Sequence, residues 1–399
     1  MMVERAGGTL PETTGMVLAS FGPIEGEPSR LGAAISVTLA ELEGTGKLVV
    51  VYLPIRSRVE LRAFLAAASR ASRGVPIIGA TTGGAAFTDR GLTRRGIVGA
   101  VLGGDVSVRT ADARNLRADG AAGLGRSLES LDIDHAHSPC LFTLMDAYAA
   151  DGEALVTALR DHTPVDCRCF GGTAGDGGLF ERTYVFHDGE VLTDAAVFAL
   201  IETPTKLAID VLHGWGVAPT GRPMTISEID GRVVRKLDGQ PAAAVYMDEL
   251  RRLELVRPGE DLLAAFFRSE IGVCTPFGEQ LKIRAPLAIS EDGSITLTAS
   301  LREGKKVRVV VATPEELVNA ARQLAARVRR QVGAPLRGVL VFDCAARVDR
   351  LEEGFSAEMK ELTHEGRCPT LGLSSYGEVA KFGGSVEAFH NTTAVMVGW

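Results

Sequence analysis

The chain has 399 residues, of which 46% are hydrophobic and 23% are charged, and its formal net charge is -7 at pH 7. This length exceeds the needs of one ordinary hydrophobic core and favours two or three globular domains. The acidic balance argues against nucleic acid as the main partner, because domains that bind a phosphate backbone are usually basic.

Residues 1–14 are polar and are predicted to be a disordered leader, since they lack the apolar core of a secretory signal. No stretch approaches the roughly 18 consecutive apolar residues of a membrane helix, so we expect no membrane insertion. The six cysteines include no CxxC pair. We therefore expect reduced thiols in a cytoplasmic protein.

The first clear unit is a strand, a helix and a second strand. Lys47–Pro54 is a continuous apolar run, typical of a strand buried on both faces of a parallel sheet. Val59–Arg73 has the periodicity of an amphipathic helix, and Val75–Ala80 is the next strand. Small and hydroxyl residues follow that strand: Thr81, Thr82, Gly83 and Gly84.

The same plan is predicted twice more. The second copy has strands at Cys140–Leu144 and Asp166–Phe170 around a helix at Glu153–Arg160, and the third has strands at Val339–Phe342 and Thr370–Leu373. The second strand of the second copy is followed by Thr173, Ala174, Gly175 and Asp176. That of the third copy is followed by Ser374, Ser375, Tyr376, Gly377 and Glu378.

The spacing within the three copies is nearly constant. In each copy we counted the residues from the middle of the first strand to the glycine of the second. The separation is 30 residues from Val49 to Gly79, 29 from Phe142 to Gly171 and 31 from Val341 to Gly372. Such spacing fits a βαβ unit. Ligands of open α/β sheets bind at the carboxyl ends of the strands, so the three turns are candidate binding residues.

The region between the second and third copies has an antiparallel pattern. Met224–Leu237 alternates around an Asp230-Gly231 turn, and Lys282–Val311 contains a second hairpin turn at residues 291–293. Pro314–Val332 is a predicted helix. The predicted fold is α/β with repeated strand–helix–strand units and an antiparallel α+β insert, divided into regions 15–222 and 223–399.

The turns favour a site for a small polar ligand over a nucleotide site. No GxGxxG followed by a helix and no GxxxxGK[ST] is present. In the third copy, Arg347 and Glu378 are candidates to hold the carboxylate and the ammonium of an amino acid. The alternative is an internal Arg–Glu bridge between neighbouring loops.

Three side chains suggest other chemistry. Cys344 near Arg347 is a candidate nucleophile, and Ser374 is a second one, although a cysteine after a buried strand is more often a packed residue. His213 precedes Gly214 and Trp215, so a planar cofactor such as haem could reach its imidazole. The alternative is a structural histidine with ordinary hydrogen-bond partners.

Several motifs together resemble the FIST family, which has FIST N and FIST C regions. They are IGATTGGAAF (78–87), FGGTAGDGGLFERTYVFHDGEV (170–191), VLVFDCAAR (339–347), LGLSSYGEVAKFG (371–383) and FHNTT (389–393). The resemblance implies a sensory input protein of signal transduction that binds a small ligand, with amino acids among the candidates. Family members are often encoded near histidine kinases, and some resemble haem-binding nitric-oxide sensors.

The resemblance and the three turns together predict a stand-alone cytoplasmic sensor that binds a small ligand at the turns and signals to a separate protein such as a histidine kinase. The first alternative is a haem-based gas sensor in which His213 binds the iron. The second is an enzyme that uses Cys344 or Ser374.

Overall fold

A computed structural model describes residues 15–136, 138–258, 260, 262–274, 281–363, 367–382 and 389–399. The predicted leader, residues 1–14, lies outside the described residues. Within them, the structure is a mixed α/β fold with three six-stranded sheets and a larger antiparallel sheet, which confirms the predicted fold class. No helix in this part of the chain has the length and apolar character needed to cross a membrane.

The elements are numbered here in chain order. The helices are α1 (Pro28–Glu41), α2 (Arg58–Ser72), α3 (Leu116–Glu129), α4 (Gly152–His162), α5 (Ala242–Arg252), α6 (Leu262–Arg268), α7 (Pro314–Val332), α8 (Ala345–Leu351) and α9 (Phe355–Leu362). The first strands are β1 (Met16–Ile24), β2 (Gly46–Leu53), β3 (Ile77–Thr81), β4 (Ala86–Thr88), β5 (Gly91–Thr93), β6 (Ile97–Gly104), β7 (Ser107–Arg114), β8 (Pro139–Met145), β9 (Arg168–Thr173), β10 (Val185–His187), β11 (Glu190–Leu192), β12 (Ala195–Glu202) and β13 (Ala208–Leu212).

The remaining strands belong to the insert and to the third copy. Those of the insert are β14 (Gly216–Val217), β15 (Met224–Asp230), β16 (Val233–Leu237), β17 (Gln240–Pro241), β18 (Glu270–Cys274), β19 (Leu281–Arg284), β20 (Pro286–Ile289), β21 (Ile295–Leu297) and β22 (Lys306–Val311). Those of the third copy are β23 (Val339–Cys344), β24 (Thr370–Ser375), β25 (Glu378–Lys381), β26 (Phe389–His390) and β27 (Ala394–Gly398).

Each predicted copy forms the centre of its own sheet. The first sheet has the order β1-β6-β2-β3-β10-β11, and β2 and β3 are its parallel pair. The second and third have the orders β7-β12-β8-β9-β25-β26 and β13-β27-β23-β24-β4-β5, with parallel pairs β8–β9 and β23–β24. The three sheets therefore share one strand arrangement but remain separate.

A hairpin from another copy completes each sheet. The β10–β11 hairpin, which follows the second copy, pairs with β3 of the first. The β25–β26 hairpin of the third copy pairs with β9 of the second, and the β4–β5 hairpin of the first pairs with β24 of the third. The exchange closes a ring, so no copy contains a whole sheet.

The regularly spaced glycines make room for these hairpins. Gly79 lies opposite Phe186, and Gly372 lies opposite Phe87. A Cβ at Gly372 would come within 2.1 Å of the Phe87 ring, and one at Gly79 within 2.9 Å of the Phe186 ring. The absence of a side chain at each glycine therefore allows the ring of the exchanged strand to pack directly on the backbone.

Aromatic rings of the second and third sheets meet in a core that takes apolar residues from all three sheets. The centroid of Phe142 lies 5.2 Å from that of Phe170 and 5.5 Å from that of Phe342. Such ring separations favour offset and edge-to-face packing. This core holds the carboxyl ends of the central strands in one place.

The insert forms the fourth sheet, in the order β19-β18-β22-β15-β16-β21-β20. Both predicted hairpins are confirmed, as β15–β16 and β20–β21. Helix α7 has the predicted bounds because both ends are capped: Thr313 Oγ1 accepts from the Glu316 amide at 3.2 Å, and Gly333 ends the helix with φ 75°.

Candidate functional site

The three predicted turns meet where the carboxyl ends of β3, β9 and β24 converge, and we call residues 81–84, 173–176 and 374–378 the turn junction. Three backbone hydrogen bonds, one donated by each turn, link the three turns in a closed cycle. The bonds are Gly83 to the Ser374 carbonyl at 2.7 Å, Gly175 to that of Thr81 at 2.9 Å and Tyr376 to that of Thr173 at 3.4 Å. Sequence reasoning found these turns, and the structure brings them together.

The backbone N–H donors of these three bonds are Gly83, Gly175 and Tyr376, which occupy equivalent positions in the three turns. Glycine is required at the first two positions. A Cβ at Gly175 would lie 2.3 Å from the Gly83 Cα, closer than non-bonded atoms approach. Tyr376 occupies the third position and is the only one of the three with a side chain. Its hydroxyl donates to Asp176, and its ring stacks on Phe180 with the centroids 5.2 Å apart.

Asp176 binds the loop that follows it in the chain, at residues 180–182, and holds that loop against the turn junction. Its carboxylate accepts from the backbone amides of Phe180, Glu181 and Arg182 at 3.0, 2.7 and 2.9 Å, as well as from the Tyr376 hydroxyl. Burial acts to raise the pKa of Asp176, but these hydrogen bonds outweigh burial, so the pKa lies below its usual range. Asp176 is therefore an ionised structural anchor.

A cavity of about 1050 Å³ lies beside the turn junction, between the first turns of α4 and α8 and the insert strands β18 and β20. Four predicted site residues contribute to its wall: Gly83, Thr173, Cys344 and Tyr376. This volume is at the upper end of the range for small-molecule sites, about 300–1,000 Å³.

The other predicted turn residues do not line the cavity. They are Thr81, Thr82, Gly84, Ala174, Gly175, Asp176, Arg347, Ser374, Ser375, Gly377 and Glu378. Several are bonded within the junction, as in the 2.8 Å bond from the Thr173 amide to the Gly377 carbonyl.

Most of the cavity wall is apolar, with Leu116, Met145, Ala149, Phe180, Trp215 and Phe389 among its members. Five wall residues each have a buried polar atom without a hydrogen-bond partner among the described residues. These atoms are Tyr148 Oη, Thr173 Oγ1, Glu270 Oε2, Arg350 Nε and Asn391 Nδ2. A buried polar atom is normally hydrogen-bonded, so five exceptions around one cavity point to a ligand site.

Glu270 and Arg350 are two of the charged residues in the cavity wall. Glu270 is 5% exposed, and burial raises its pKa to about 8, although the nearby Arg350 guanidinium acts in the opposite direction. Burial lowers the pKa of Arg350, as do the charges of Arg268 and Arg257. The Glu270 carboxyl is therefore mostly protonated at pH 7 in the ligand-free molecule.

The two candidate nucleophiles, Cys344 and Ser374, are not activated in the structure. Cys344 is buried, and burial, together with the charge of Glu378, raises the pKa of its thiol well above the usual range. Ser374 is also buried, and its Oγ accepts from the Ala85 amide at 2.9 Å. A neutral thiol and a hydroxyl engaged in the junction lack the features of an activated nucleophile.

The suggested pairing of Arg347 with Glu378 is not formed. Arg347 is fully buried and forms ion pairs with Glu358 and, at 3.1 Å, with Asp343 instead. Glu378 accepts from Ser375 Oγ at 2.9 Å and from Thr393 Oγ1 at 2.8 Å. Both residues lie outside the cavity wall, and their charged groups are bonded within the protein.

His213 does not fit the role of a haem ligand. Its Nδ1 accepts from the Trp215 amide at 2.8 Å, and its ring also bonds the Leu281 backbone. Burial and the Arg347 charge lower its pKa to about 4, which keeps the imidazole neutral. A haem ligand needs a free ring nitrogen facing a cavity, whereas His213 lies outside the wall described above.

Sequence reasoning missed Tyr148, Glu270, Arg350 and Asn391. Asn391 lies within the FHNTT motif, and Arg350 follows Arg347 by one helical turn. A feature of the nearby sequence therefore pointed to each of them. Glu270 had none, because its place depends on how the insert docks on the ring.

A FIST N domain model matches residues 47–240, and a FIST C domain model matches residues 242–381. The chain belongs to the FIST family. FIST N contains the first two copies, and FIST C contains most of the insert and the central pair of the third copy. FIST domains are associated with the sensing of small ligands in signal transduction.

Relatives of this FIST protein include two uncharacterized proteins. MJ1623 of Methanocaldococcus jannaschii is 33% identical over 101 residues, which are 25% of this chain and 19% of that protein. Rv0628c of Mycobacterium tuberculosis is 25% identical over 285 residues, 69% of this chain and 71% of that protein. The match therefore spans about a fifth of the first relative and most of the second.

Among solved structures, a chorismatase crystal structure aligns with 96% of this chain and 98% of its own at 9% identity, with a TM-score of 0.34. That score is too low to carry an argument about fold or function. The function of this FIST protein has to be argued from its own cavity.

Proposed function

We propose that this FIST protein is a cytoplasmic sensor that binds a small polar ligand, such as an amino acid, in the cavity beside the turn junction. It would pass ligand occupancy to a separate signalling protein such as a histidine kinase. The observation that carries the proposal is the set of five unpartnered buried polar atoms in one cavity wall.

The energetic reason is the cost of leaving such atoms unbonded. Each buried donor or acceptor without a partner costs about 1–3 kcal/mol. Hydrogen bonds from a ligand would offset that cost, so binding gains free energy from groups that the chain already holds in place. An apolar surround strengthens each of these bonds by excluding water.

The positions of the five wall residues in the fold also suggest how ligand binding could be detected by another protein. Tyr148 and Thr173 belong to the second copy, Glu270 to the insert, and Arg350 and Asn391 to the third copy. A ligand that bonds all of them would tie the insert to the ring of sheets. A partner that contacts both the insert and the ring would then distinguish the bound state from the free one.

Two isosteric variants test the proposal. Thr173→Val and Thr143→Val each remove an unpartnered, buried hydroxyl, but only Thr173 lines the cavity. We expect at least one compound from a panel of amino acids and polar metabolites to raise the melting temperature of the wild-type protein, since a ligand stabilises by RT ln(1 + [L]/Kd). The shift should shrink in Thr173→Val and persist in Thr143→Val.

The proposal fails if no compound in the panel shifts the melting temperature of the wild-type protein. It also fails if Thr143→Val and Thr173→Val reduce the shift equally, because the ligand would then lie elsewhere. Removal of either hydroxyl leaves no new unpaired group, so both variants should fold.

A further inference from the structure

We propose that the rim of the cavity is an interface through which two copies of this chain associate about a two-fold axis. The exposed side chains of the cavity wall define this cavity rim: Arg117, Phe180, Arg232, Leu287, Asp349 and Glu352. The inference goes beyond the proposed function, because it concerns the surface around the cavity and not the ligand inside it.

Phe180 is an exposed aromatic residue that the fold holds in a strained backbone conformation. Its φ is 54°, a left-handed value that bulky residues rarely adopt, and its side chain is 60% exposed. Its amide donates to Asp176 at 3.0 Å, and its ring stacks on that of Tyr376 with 17° between the planes. Such strain persists where the surrounding bonds enforce it, and it is concentrated at functional sites. A ring that is already fixed loses little conformational freedom when a partner covers it, which favours binding.

Two further apolar side chains accompany Phe180 at the surface. Leu179, the preceding residue, is 60% exposed, and Leu287 of the cavity rim is 36% exposed. Leu287 lies in β20, which is the last strand of the insert sheet and pairs on one side only. Aromatic and other large apolar residues at the centre of a patch, surrounded by polar ones, are typical of a protein interface.

The charged residues of the cavity rim are two cations and two acids from different elements. Arg117 is in the first turn of α3, and its Nε donates to the Tyr148 carbonyl at 3.1 Å. Arg232 lies in the β15–β16 turn, and its charge opposes the rise in the pKa of Tyr148 that burial causes. Both cations are therefore beside Tyr148 of the second copy. Asp349 belongs to α8 of the third copy, and Glu352 follows that helix.

This arrangement is complementary to itself. A two-fold axis brings the same patch of both copies together, so each residue faces a different residue of the second copy. With the apolar side chains near the axis, the cations of one copy face the acids of the other. The mouths of the two cavities then face each other, which shields both from water.

The other charged residues of the wall lie below the cavity rim. They are Asp151, Arg268, Glu270 and Arg350, and all four are buried or half-buried. Asp151 accepts from the Ser300 amide at 3.0 Å, and Arg268 forms an ion pair with Glu260. A second copy seated on the cavity rim would therefore meet two cations and two acids, whose charges cancel. Local repulsion is absent there, although the whole chain has a formal net charge of -7.

Sedimentation velocity of the full chain over a wide range of protein concentration tests the proposal. We expect a reversible equilibrium between monomer and dimer for the wild-type protein. Phe180→Ser should weaken the dimer at least about 30-fold, because aromatic residues at the centre of an interface carry much of the binding energy. Val165→Ser is the matched control, since Val165 is 77% exposed and lies outside the wall, and it should behave as wild type.

Charge reversal tests the two-fold arrangement. Arg232→Glu and Glu352→Arg should each weaken the dimer about 10-fold at low ionic strength, because like charges would then face each other. Both side chains are exposed, so both variants should fold. An equimolar mixture of the two variants should form heterodimers about as tightly as the wild-type protein forms dimers, since the facing charges are again opposite in sign.

Three results would overturn the proposal. A wild-type chain that stays monomeric at every concentration would show that the cavity rim serves a partner of another kind. Equal weakening by Phe180→Ser and Val165→Ser would place the dimer interface elsewhere, and a mixture that associates no better than the single variants would exclude the two-fold arrangement. The sensor proposal stands in each case, because its Thr173→Val test does not depend on association.

Discussion

Glu270 shows how one buried acid can couple stability to pH. Its pKa of about 8 lies above the ordinary value of 4.5, so the folded state holds its proton more tightly than the unfolded chain does. The stability that this provides is complete below about pH 4.5 and is lost as the pH rises to about 8. The cause is burial, opposed only in part by Arg350.

We therefore expect the free energy of unfolding of the wild-type protein to fall, relative to Glu270→Gln, between pH 4.5 and pH 8. The upper bound is about 5 kcal/mol, from about 1.4 kcal/mol for each pH unit of the pKa shift. Urea unfolding at several pH values measures it. Parallel pH profiles for the two proteins would show that folding does not raise the pKa of Glu270. Glu303→Gln, at an exposed acid of the same insert outside the cavity wall, should remain parallel to wild type.

Other predicted residues show why chemistry-bearing side chains are hard to assign from sequence. Cys344 ends strand β23 and Arg347 lies in helix α8, and both are buried. The sequence offered Glu378 as the partner of Arg347, whereas the structure pairs Arg347 with Asp343 and Glu358. Glu358 is 11 residues from Arg347, and only the packing of α9 places it there.

Among the elements, the β4–β5 hairpin is the least predictable, and the exchange of hairpins to which it belongs has the largest effect on the fold. The β4–β5 hairpin has two strands of three residues each, too short for a periodic pattern to stand out. The longer β23 and α7 were predicted within a few residues, because a buried apolar run and a capped amphipathic helix are local signals. Whether a short strand forms depends on the neighbouring strand with which it pairs.

We expect Phe87→Ala to lower the free energy of unfolding by about 3–5 kcal/mol. The Phe87 ring is 1% exposed and packs on the backbone at Gly372, so its removal leaves a cavity between the first and third copies. Guanidinium unfolding measures the change. Leu179→Ala, at a side chain that is 60% exposed, should change the value by less than about 1 kcal/mol. A small effect of Phe87→Ala would mean that the hairpin is not an integral part of the third sheet.

For the whole molecule, the exchange of hairpins makes the two predicted regions, 15–222 and 223–399, interdependent. The second sheet needs β25 and β26 from the C-terminal region, and the third needs β4, β5 and β13 from the N-terminal one. The cavity likewise takes its wall from both regions. The division between them stays a prediction about sequence organisation.

We expect fragments 1–222 and 223–399 to lack cooperative unfolding when each is expressed alone, and to copurify in a 1:1 complex when they are coexpressed. The physical reason is that each fragment exposes unpaired strand edges and apolar sheet faces that the other covers. Size-exclusion chromatography and thermal unfolding followed by circular dichroism measure both results. Two monomeric fragments that each unfold cooperatively would contradict this.

The sequence by itself determined the three strand–helix–strand copies, the antiparallel insert, the capped helix α7 and the three small-residue turns. These features follow from local periodicity, caps and glycine spacing, which act within about 30 residues of chain. The FIST membership was also readable from motifs in the chain.

Only the tertiary structure decided that the three turns close a ring of backbone hydrogen bonds, and that a cavity with Glu270, Arg350 and Asn391 lies beside it. Glu270 and Arg350 are 80 residues apart in the chain and meet through the docking of the insert on the third copy. Pairing between distant segments depends on which strands exchange hairpins, and no local pattern encodes that choice.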